Sequence, residues 1–374
     1  MKKLIFLISA VLFLNLLSAQ KTSRVREGIY FGFVKTDGSY LIKPQYLKAG
    51  DFSDGLAAVF DGEKWGFIDK ENNLVIDYQF ERAKAFDSGI AVAAKIGRWF
   101  YIDKKGKEIK MPPSDKLFDF HNGIAFIRRG DLTGLINSKG EVILEPKYNK
   151  IKNFKNGFAK VAIGKSWGII DKTGKEVVAL EYQSIGNYVD GVAYAKKDGK
   201  LGILNNGKFI ESEAVKIWDF TKNSPYARAI NKSKKIGFID KTGKWIIEPQ
   251  FKKARNFNNG LAPASENGKV WGYIDTTGKF SIEPQFRDAS PFSKDGLAPV
   301  KLSKFWGFVD KTGNLVIKDK YIITQKSFNV FKKQQKGFVN GLAKVGLNKK
   351  WNFINTKGEP LLKEWVDSVK NFTK

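Results

Sequence analysis

The sequence contains no cysteine, and His121 is its one histidine among 374 residues. Without cysteine the chain can form no disulfide, zinc–thiolate site or iron–sulfur cluster and has no thiolate nucleophile. A single histidine excludes any site that needs two imidazoles. Acidic residues are also scarce, 38 against 65 lysines and arginines, which gives a formal net charge of +27. The composition therefore removes much chemistry and favours anionic partners.

Long apolar runs are nearly absent as well. The exception extends from Leu4 to Leu17, follows two lysines and ends at Ser18-Ala19, small residues that suit a signal peptidase. This run is shorter than the roughly twenty residues that span a bilayer. We therefore predict a signal peptide over residues 1–19 and an exported mature chain that is periplasmic, outer-membrane-associated or secreted. No transmembrane span is expected after cleavage.

The rest of the chain repeats one pattern at a nearly constant period. The second residue of a Trp-Gly-Phe-Ile-Asp-like pentad recurs every 34 or 35 residues, and the last interval is 45. A second motif, an aromatic-x-x-Gly-aliphatic-Ala turn in which Asp or Asn often precedes the glycine, follows the same period. The two motifs together predict a single array of about ten repeats over residues 20–374. The pentad positions are Gly32, Gly66, Phe100, Gly134, Gly168, Gly202, Gly237, Gly272, Gly307 and Asn352.

Each repeat contains three short segments rich in β-branched and aromatic residues, bounded by Gly, Asp and Asn. This pattern is typical of strands joined by hairpins. In turns such as Asp240 to Lys244, the Asp side chain can cap the turn and Gly243 can supply a positive φ. The proline of the Glu-Pro-Gln-aromatic steps cannot donate to a ladder and indicates an edge or a bulge. We predict an all-β tandem array of three-stranded antiparallel units.

The sequence leaves open whether the array closes on itself. A unit of 34–35 residues is shorter than a propeller blade of about forty. We therefore expect an open solenoid or superhelix, with a closed propeller-like ring as the alternative. Residues 321–336 interrupt the period, and we interpret them as a loop that serves either as a basic contact site or as a spacer. Its basic and aromatic residues are Lys326, Phe328, Phe331, Lys332, Lys333 and Lys336.

The pentads that begin at Trp65, Trp167, Trp271 and Trp306 resemble the WG (or KWG) repeat, a bacterial β-repeat family found in tandem arrays. The resemblance covers roughly residues 28 to 372. It implies an exported or envelope-associated protein without agreed catalytic activity, so it transfers no catalytic, metal or cofactor residue. The sequence departs from the pattern at several pentads, including those at positions 100 and 352.

Six tryptophans occupy the first position of the pentad. An exposed ladder of indoles would stack sugars or bases, whereas a buried ladder would join adjacent repeats. Because burial of one indole removes about 150–250 Å² from water, we interpret the six as structural repeat core. They are Trp65, Trp99, Trp167, Trp271, Trp306 and Trp351.

The repeated turn carboxylates, such as Asp171 and Asp310, could instead be calcium ligands. A lysine follows most of them, and Ca²⁺ needs several converging oxygens, so we interpret them as turn caps. Carboxylates separated by whole repeats cannot form an acid/base pair, and no nucleophile elbow or phosphate loop is present. We expect a protein that is not an enzyme and that has no cofactor.

Lysines recur at the hairpin tips, and in a regular stack they should align as an edge that contacts polyanions. We expect an exported, non-catalytic binding or scaffold protein of the cell envelope, whose partner is an anionic polymer or glycolipid. A protein–protein scaffold that binds another envelope protein is the alternative. Of the three candidate partners, nucleic acid is the weakest, because no nucleic-acid-binding module is recognisable in the sequence. The edge residues are Lys70, Lys104, Lys107, Lys172, Lys175, Lys241, Lys244, Lys279 and Lys311.

Overall fold

A computed structural model describes residues 20–324 and 336–373. The signal peptide predicted for residues 1–19 lies outside them, as does most of the predicted loop, including Lys326, Phe328, Phe331, Lys332 and Lys333. The described chain divides into two compact units. The first comprises residues 20–147, 349–352 and 361–373, and the second comprises residues 148–324, 336–348 and 353–360.

All assigned elements of the described residues are β-strands, as the sequence predicts. From the start of the chain to residue 148 they are β1 Thr22–Glu27, β2 Tyr30–Lys35, β3 Tyr40–Tyr46, β4 Lys48–Ala49, β5 Ala57–Phe60, β6 Trp65–Ile68, β7 Leu74–Phe80, β8 Arg82–Ala83, β9 Ala91–Lys95, β10 Arg98–Ile102, β11 Glu108–Ile109, β12 Ile124–Arg129, β13 Leu132–Asn137 and β14 Val142–Tyr148. The next group is β15 Lys150–Ile151, β16 Phe158–Ile163, β17 Ser166–Asp171, β18 Glu176–Tyr182, β19 Ser184–Ile185, β20 Val192–Lys197, β21 Lys200–Asn205, β22 Lys208–Glu211, β23 Lys216–Ile217, β24 Ala227–Ile230, β25 Ile236–Ile239 and β26 Trp245–Phe251. The remaining strands are β27 Lys253–Ala254, β28 Ala262–Ser265, β29 Trp271–Ile274, β30 Phe280–Phe286, β31 Asp288–Ala289, β32 Ala298–Lys301, β33 Trp306–Val309, β34 Leu315–Tyr321, β35 Phe338–Val339, β36 Leu342–Leu347, β37 Lys350–Ile354 and β38 Ser368–Val369.

The strands of the described residues form ten antiparallel sheets, which matches the ten repeats predicted from the sequence. Eight sheets have four strands and two have three, so the prediction of three-stranded units is wrong for most repeats. The additional strand has only two residues, for example β4 and β8, and is therefore too short to show an alternating pattern in the sequence. The strand orders are β3-β2-β1-β38, β4-β5-β6-β7, β11-β10-β9-β8, β12-β13-β14, β15-β16-β17-β18, β19-β20-β21-β22, β23-β24-β25-β26, β27-β28-β29-β30, β31-β32-β33-β34 and β35-β36-β37.

The pentad glycine is explained by a bulge in the strand that follows it. In the first repeat Phe31 pairs with Tyr46 and Phe33 with Ile42, so three residues of β3 oppose Gly32 alone. A Cβ at Gly32 would lie 2.6 Å from the carbonyl oxygen of Ile42. The same register shift occurs in five other repeats. Because proline lacks a donor, it fits this bulge, and the prediction of an edge or bulge for the Pro-containing steps is confirmed.

Other repeats depart from this arrangement, and Gly202 pairs directly with Glu211 without a bulge. In the repeat where Phe100 replaces the glycine, the third strand is reduced to the two residues of β11. These pair with Tyr101 and Ile102, and no strand residue pairs with Phe100 on that side. Asn352, which also replaces the glycine, is fully buried. Its Nδ2 donates to Leu362 O and its Oδ1 accepts from Leu362 N, both at 2.9 Å. The amide thus bonds the segment opposite it, which also pairs with β37 at Trp351 and Ile354.

Phenylalanine pairs join successive repeats within each unit. The third residue of the pentad packs against the aromatic residue of the next repeat's turn motif, as in Phe67 and Phe86, whose ring centroids are 4.8 Å apart. These rings are fully buried, and such edge or tilted pairs are the favoured aromatic geometry. The contact therefore recurs as the inter-repeat core. The equivalent pairs are Phe33–Phe52, Tyr101–Phe120, Phe238–Phe257, Tyr273–Phe292 and Phe308–Phe338.

The first and last strands meet within the first unit. Val25 of β1 pairs with Val369 of β38 in the sheet β3-β2-β1-β38. Thr22 N donates to Thr373 O and Thr373 N donates to Thr22 O, both at 2.8 Å. An open array leaves its end repeats unpaired, so the expectation of an open solenoid is wrong on this point. The two-residue strand β38 lies in a segment whose sequence lacks the repeated turn motif, which is why the pairing was missed.

Candidate functional site

The hairpin lysines are exposed as predicted, with one exception. Eight of the nine predicted edge lysines are exposed to solvent. Lys104 forms an ion pair with Asp54, with Nζ 3.1 Å from Oδ1. Within the part of the chain that the structure describes, the other seven exposed lysines form no ion pair. They are Lys107, Lys172, Lys175, Lys241, Lys244, Lys279 and Lys311.

Lys70 does not belong to this edge. Its side chain is 4% exposed and its Nζ donates to the carbonyl oxygen of Gln20 at 2.6 Å. Burial lowers the pKa of Lys70. The prediction that Lys70 contacts a polyanion is therefore wrong, because its ammonium group is directed into the protein. The spacing that identified the residue could not distinguish a buried lysine from an exposed one.

The turn carboxylates act as caps, which confirms the interpretation made from the sequence. In the turn at Asp275, Oδ1 accepts from the backbone amides of Thr277 and Lys279 and from the Thr277 hydroxyl at 2.6 Å. The carboxylates at Asp171, Asp240 and Asp310 bind their turns in the same way. Each carboxylate is therefore occupied by its own turn.

Successive turns of the second unit occupy equivalent places. A Cβ at Gly278 would lie 2.7 Å from Cγ2 of Ile247, and one at Gly313 would lie 3.0 Å from Cγ2 of Ile282. Each turn thus rests on the third strand of the preceding repeat. The turns at residues 240–244, 275–279 and 310–314 consequently follow one another, and they carry their exposed lysines in series.

The capped turns predict a decline of stability in acid. The Thr277 hydroxyl hydrogen bond lowers the pKa of Asp275, and the hydroxyls of Thr173 and Thr312 lower the pKa of Asp171 and Asp310 in the same way. A folded-state pKa below the unfolded value gives stability that is present above about pH 4 and lost as the pH falls through the folded pKa. We expect thermal melts to show a shallower acid decline when all three threonines are replaced by valine.

The exposed neighbour Thr276 provides the control, since its hydroxyl makes no hydrogen bond within the described residues. Thr276→Val should leave the acid profile unchanged. An unaltered profile in the triple variant would contradict the role assigned to the caps.

The tryptophans are less buried than predicted. Trp271 and Trp351 are 6% and 8% exposed and belong to the core. Trp65, Trp167 and Trp306 are half-buried. Trp99 is 37% exposed, so its assignment to the core is wrong. The phenylalanine pairs, rather than the indoles, form the fully buried contact between repeats.

Several indole faces are covered by cations. Lys84 Nζ lies 5.6 Å from the ring of Trp99, the Arg255 guanidinium lies 4.8 Å from that of Trp271, and Lys336 Nζ lies 4.9 Å from that of Trp306. Such contacts contribute about 0.5–2 kcal/mol each. These indoles are thus engaged within the protein.

A set of cations in the strand before the pentad was not predicted from the sequence. Arg24, Lys160 and Arg228 are separated by whole repeats and pair across their hairpins with equivalent residues. Each donates to a backbone carbonyl at the start of the next repeat. Arg24 Nη1 bonds Ala49 O, Lys160 Nζ bonds Ile185 O at 3.1 Å, and Arg228 Nη1 bonds Ala254 O at 2.8 Å. Their common spacing was the signal that could have identified them.

Within residues 20–324 and 336–373, no three His, Cys, Asp or Glu side chains gather in a group that could hold a metal ion. The same residues include no helix with the length and apolar character needed to cross a membrane.

The fold and its repeated motifs define an all-β repeat protein built from antiparallel sheets. The sequence matches the family described as WG containing repeat over residues 31–65, 65–97, 99–132, 134–165, 167–200, 236–269, 271–304 and 306–321. The chain therefore belongs to the WG-repeat family, and the resemblance noted in the sequence is confirmed.

Comparisons with other proteins add little beyond the family. No curated protein matches the sequence. A structure described as the eukaryotic initiation factor is 10% identical with a TM-score of 0.44 and covers 94% of this chain and 98% of its own. BamB from Moraxella catarrhalis is 9% identical with a TM-score of 0.31, at 79% and 90% coverage. YCF48 bound to the D1 peptide is 11% identical with a TM-score of 0.27, at 66% and 87% coverage. At such values the likenesses carry no argument about fold or function.

Proposed function

We propose that the protein is an exported, non-catalytic binding protein of the bacterial cell envelope that contacts an anionic polymer or glycolipid through its exposed hairpin lysines. The observation that carries the proposal is the set of seven exposed lysines without an ion pair in the described chain. The neighbouring Asp side chains cap the turns that carry these lysines. Because the carboxylates are so engaged, the lysines are available to an external anion.

Export is proposed from the sequence alone. A basic start, one apolar run from Leu4 to Leu17 and the small residues Ser18-Ala19 support it. The net charge of +27 supports recruitment of polyanions, since a field of one sign raises their local concentration.

We also propose that the ten sheets close into a propeller-like ring, the alternative left open by the sequence. The pairing of Val25 in β1 with Val369 in β38 supports closure.

Charge reversal tests the binding proposal. The variant with Lys172, Lys175, Lys241 and Lys244 replaced by Glu should bind isolated cell-envelope material at least about tenfold more weakly than the unmodified protein. The reason is that four attractive charges become repulsive. Co-sedimentation across about 50 to 500 mM salt measures this, and binding of the unmodified protein should fall steeply with salt, as expected for contacts between exposed charges.

A matched control reverses four exposed lysines of the same unit that lie off the hairpin edge: Lys150, Lys165, Lys196 and Lys222. This variant has the same net charge. Equal loss of binding in both variants would show that net charge alone is responsible, and binding insensitive to the first variant would reject the edge.

Exposed apolar side chains favour a second candidate, a scaffold for another envelope protein. They recur near the start of the third strand, which lies at the edge of its sheet and offers unpaired backbone groups. Envelope binding that survives salt, and a protein recovered with it, would favour this function over the first. The residues are Leu74, Val75, Val142, Ile246, Leu315 and Val316.

A further inference from the structure

The second unit contains a basic cleft away from the hairpin lysines. Its volume is about 800 Å³. Five cations and one carboxylate line it: Arg228, Lys253, Arg255, Lys269, Arg287 and Asp288. Ile236, Val270 and Trp271 form an apolar wall on the same cleft. We refer to this site as the basic cleft.

Within the described residues, one of the five cations forms an ion pair. Arg255 Nη2 lies 2.8 Å from Asp288 Oδ1. Lys253, Lys269 and Arg287 are exposed, and within the described residues their side chains make no hydrogen bond or ion pair. The basic cleft therefore carries an excess of positive charge that no neighbouring carboxylate balances.

Arg228 adds a half-buried charge to this excess. Its Nε donates to Asn256 Oδ1 at 2.6 Å and its Nη1 to Ala254 O at 2.8 Å, both neutral acceptors. Burial, and then the like charge of Arg255, lowers the pKa of Arg228 to about 10, which leaves it charged at neutral pH. Its Nη2 makes no hydrogen bond within the described chain. A charged donor held in place by neutral groups favours an anion that can accept from it.

Arg255 and Arg228 are also held rigidly. The guanidinium of Arg255 lies over Trp271, and that of Arg228 lies 4.5 Å from the ring of Trp218. Arg255 Nη1 also donates to the carbonyl oxygen of Ala289. Because the two side chains are already ordered, the binding of a ligand to them costs little additional side-chain entropy.

Arg287 occupies a repeat position whose chemistry varies between repeats. The equivalent residues Glu81, Asn149 and Gln183 accept hydrogen bonds from the backbone amides of the following hairpin, for example Gln183 Oε1 from Gly199 N at 2.9 Å. An arginine side chain has donors and no acceptor, so Arg287 cannot accept this hydrogen bond from a backbone amide. Like Leu47, Val215, Lys252 and Ile322 at the same position, Arg287 offers no such acceptor, and its guanidinium lines the basic cleft instead.

We propose that the basic cleft binds a phosphorylated sugar group, with the phosphate at the arginines and the sugar against the apolar wall at Val270. A dianion offsets more of the charge excess than a single carboxylate does, and guanidinium forks match phosphate oxygens. The cleft is also larger than a phosphate ion and has the apolar wall that a sugar ring needs. The group could come from a soluble sugar phosphate or from a phosphorylated headgroup. This proposal does not depend on the hairpin edge.

Isothermal titration of the purified protein with glucose 1-phosphate tests the proposal, with glucose as the neutral probe. We expect saturable binding of the phosphate ester and none of glucose. Arg287→Gln introduces the residue that the repeat has at Gln183, so the fold should be retained while the affinity falls at least about tenfold. Lys269→Gln, at another exposed position, should also weaken binding.

Lys222→Gln is the matched control, because Lys222 is exposed in the same unit and lies off both the cleft and the edge. Unchanged affinity in this variant supports the cleft. Equal loss in Lys222→Gln and Arg287→Gln, undiminished binding in Arg287→Gln, or no saturable binding would overturn the proposal. Phosphatidylcholine vesicles with and without lipid A, a lipid whose headgroup is a phosphorylated disaccharide, distinguish the sources: Arg287-dependent binding to the lipid A vesicles indicates a headgroup, and binding of the soluble ester alone indicates a free sugar phosphate.

Discussion

Replacement of Gly32 by alanine is expected to destabilise the first unit by about 2–3 kcal/mol. The added Cβ would lie 2.6 Å from both Ile42 O and Pro44 N. Both are backbone atoms of β3, so no side-chain rotation can relieve the clash, and the bulged strand must move away from β2. Thermal unfolding followed by tryptophan fluorescence measures the loss.

Gly50→Ala in the same unit is the matched control. Its Cβ would make ordinary contacts at 3.6 Å or more, and the φ of Gly50 is not positive. Alanine also restricts the unfolded chain, which stabilises by about 0.4–1 kcal/mol where the native conformation permits it. We therefore expect a change of less than about 1 kcal/mol at Gly50. Equal melting of the two variants would show that the close approach of β3 is not what requires glycine.

The sequence predicted those features that depend on local chemistry. The capped turns follow from Asp and Gly at fixed positions, as at Asp275 and Gly278. The bulge follows from a proline that cannot donate, as at Pro249. The number of repeats follows from the period itself. Each of these signals needs only a few neighbouring residues, and the structure confirms them.

Features that depend on contacts between repeats could not be predicted in the same way. The pentad identifies both Trp99 and Phe67 as repeated aromatics, but their burial depends on what the adjacent repeat places against them. Lys70 and Lys104 occupy equivalent turn positions, but Lys70 is buried and bonds Gln20 O, whereas Lys104 is exposed and pairs with Asp54. Arg228 and Arg255 lie in different repeats, so the sequence does not predict that both line the basic cleft.

The pairing of the chain ends also could not be predicted from the sequence. The second large prediction depends on this pairing. Val25 and Val369 pair and are both fully buried. On either side of Val369, Asp367 N donates to Arg26 O at 2.8 Å and Lys370 N to Arg24 O at 3.0 Å. The Ser23 hydroxyl donates to Lys370 O at 2.6 Å. The last strand is therefore held by backbone bonds around one buried side chain.

Val369→Asp should destabilise the first unit by about 3 kcal/mol or more, because it places a carboxylate in an apolar site. Loss of the pairing should also release β1 and β38, so limited proteolysis is expected to cleave near both ends of the described chain. Val75→Asp serves as the control, since Val75 is 43% exposed and a charge there should change stability by less than about 0.5 kcal/mol. If the two variants melt alike and resist protease equally, the paired ends do not stabilise the unit, and the argument for a closed ring loses its support.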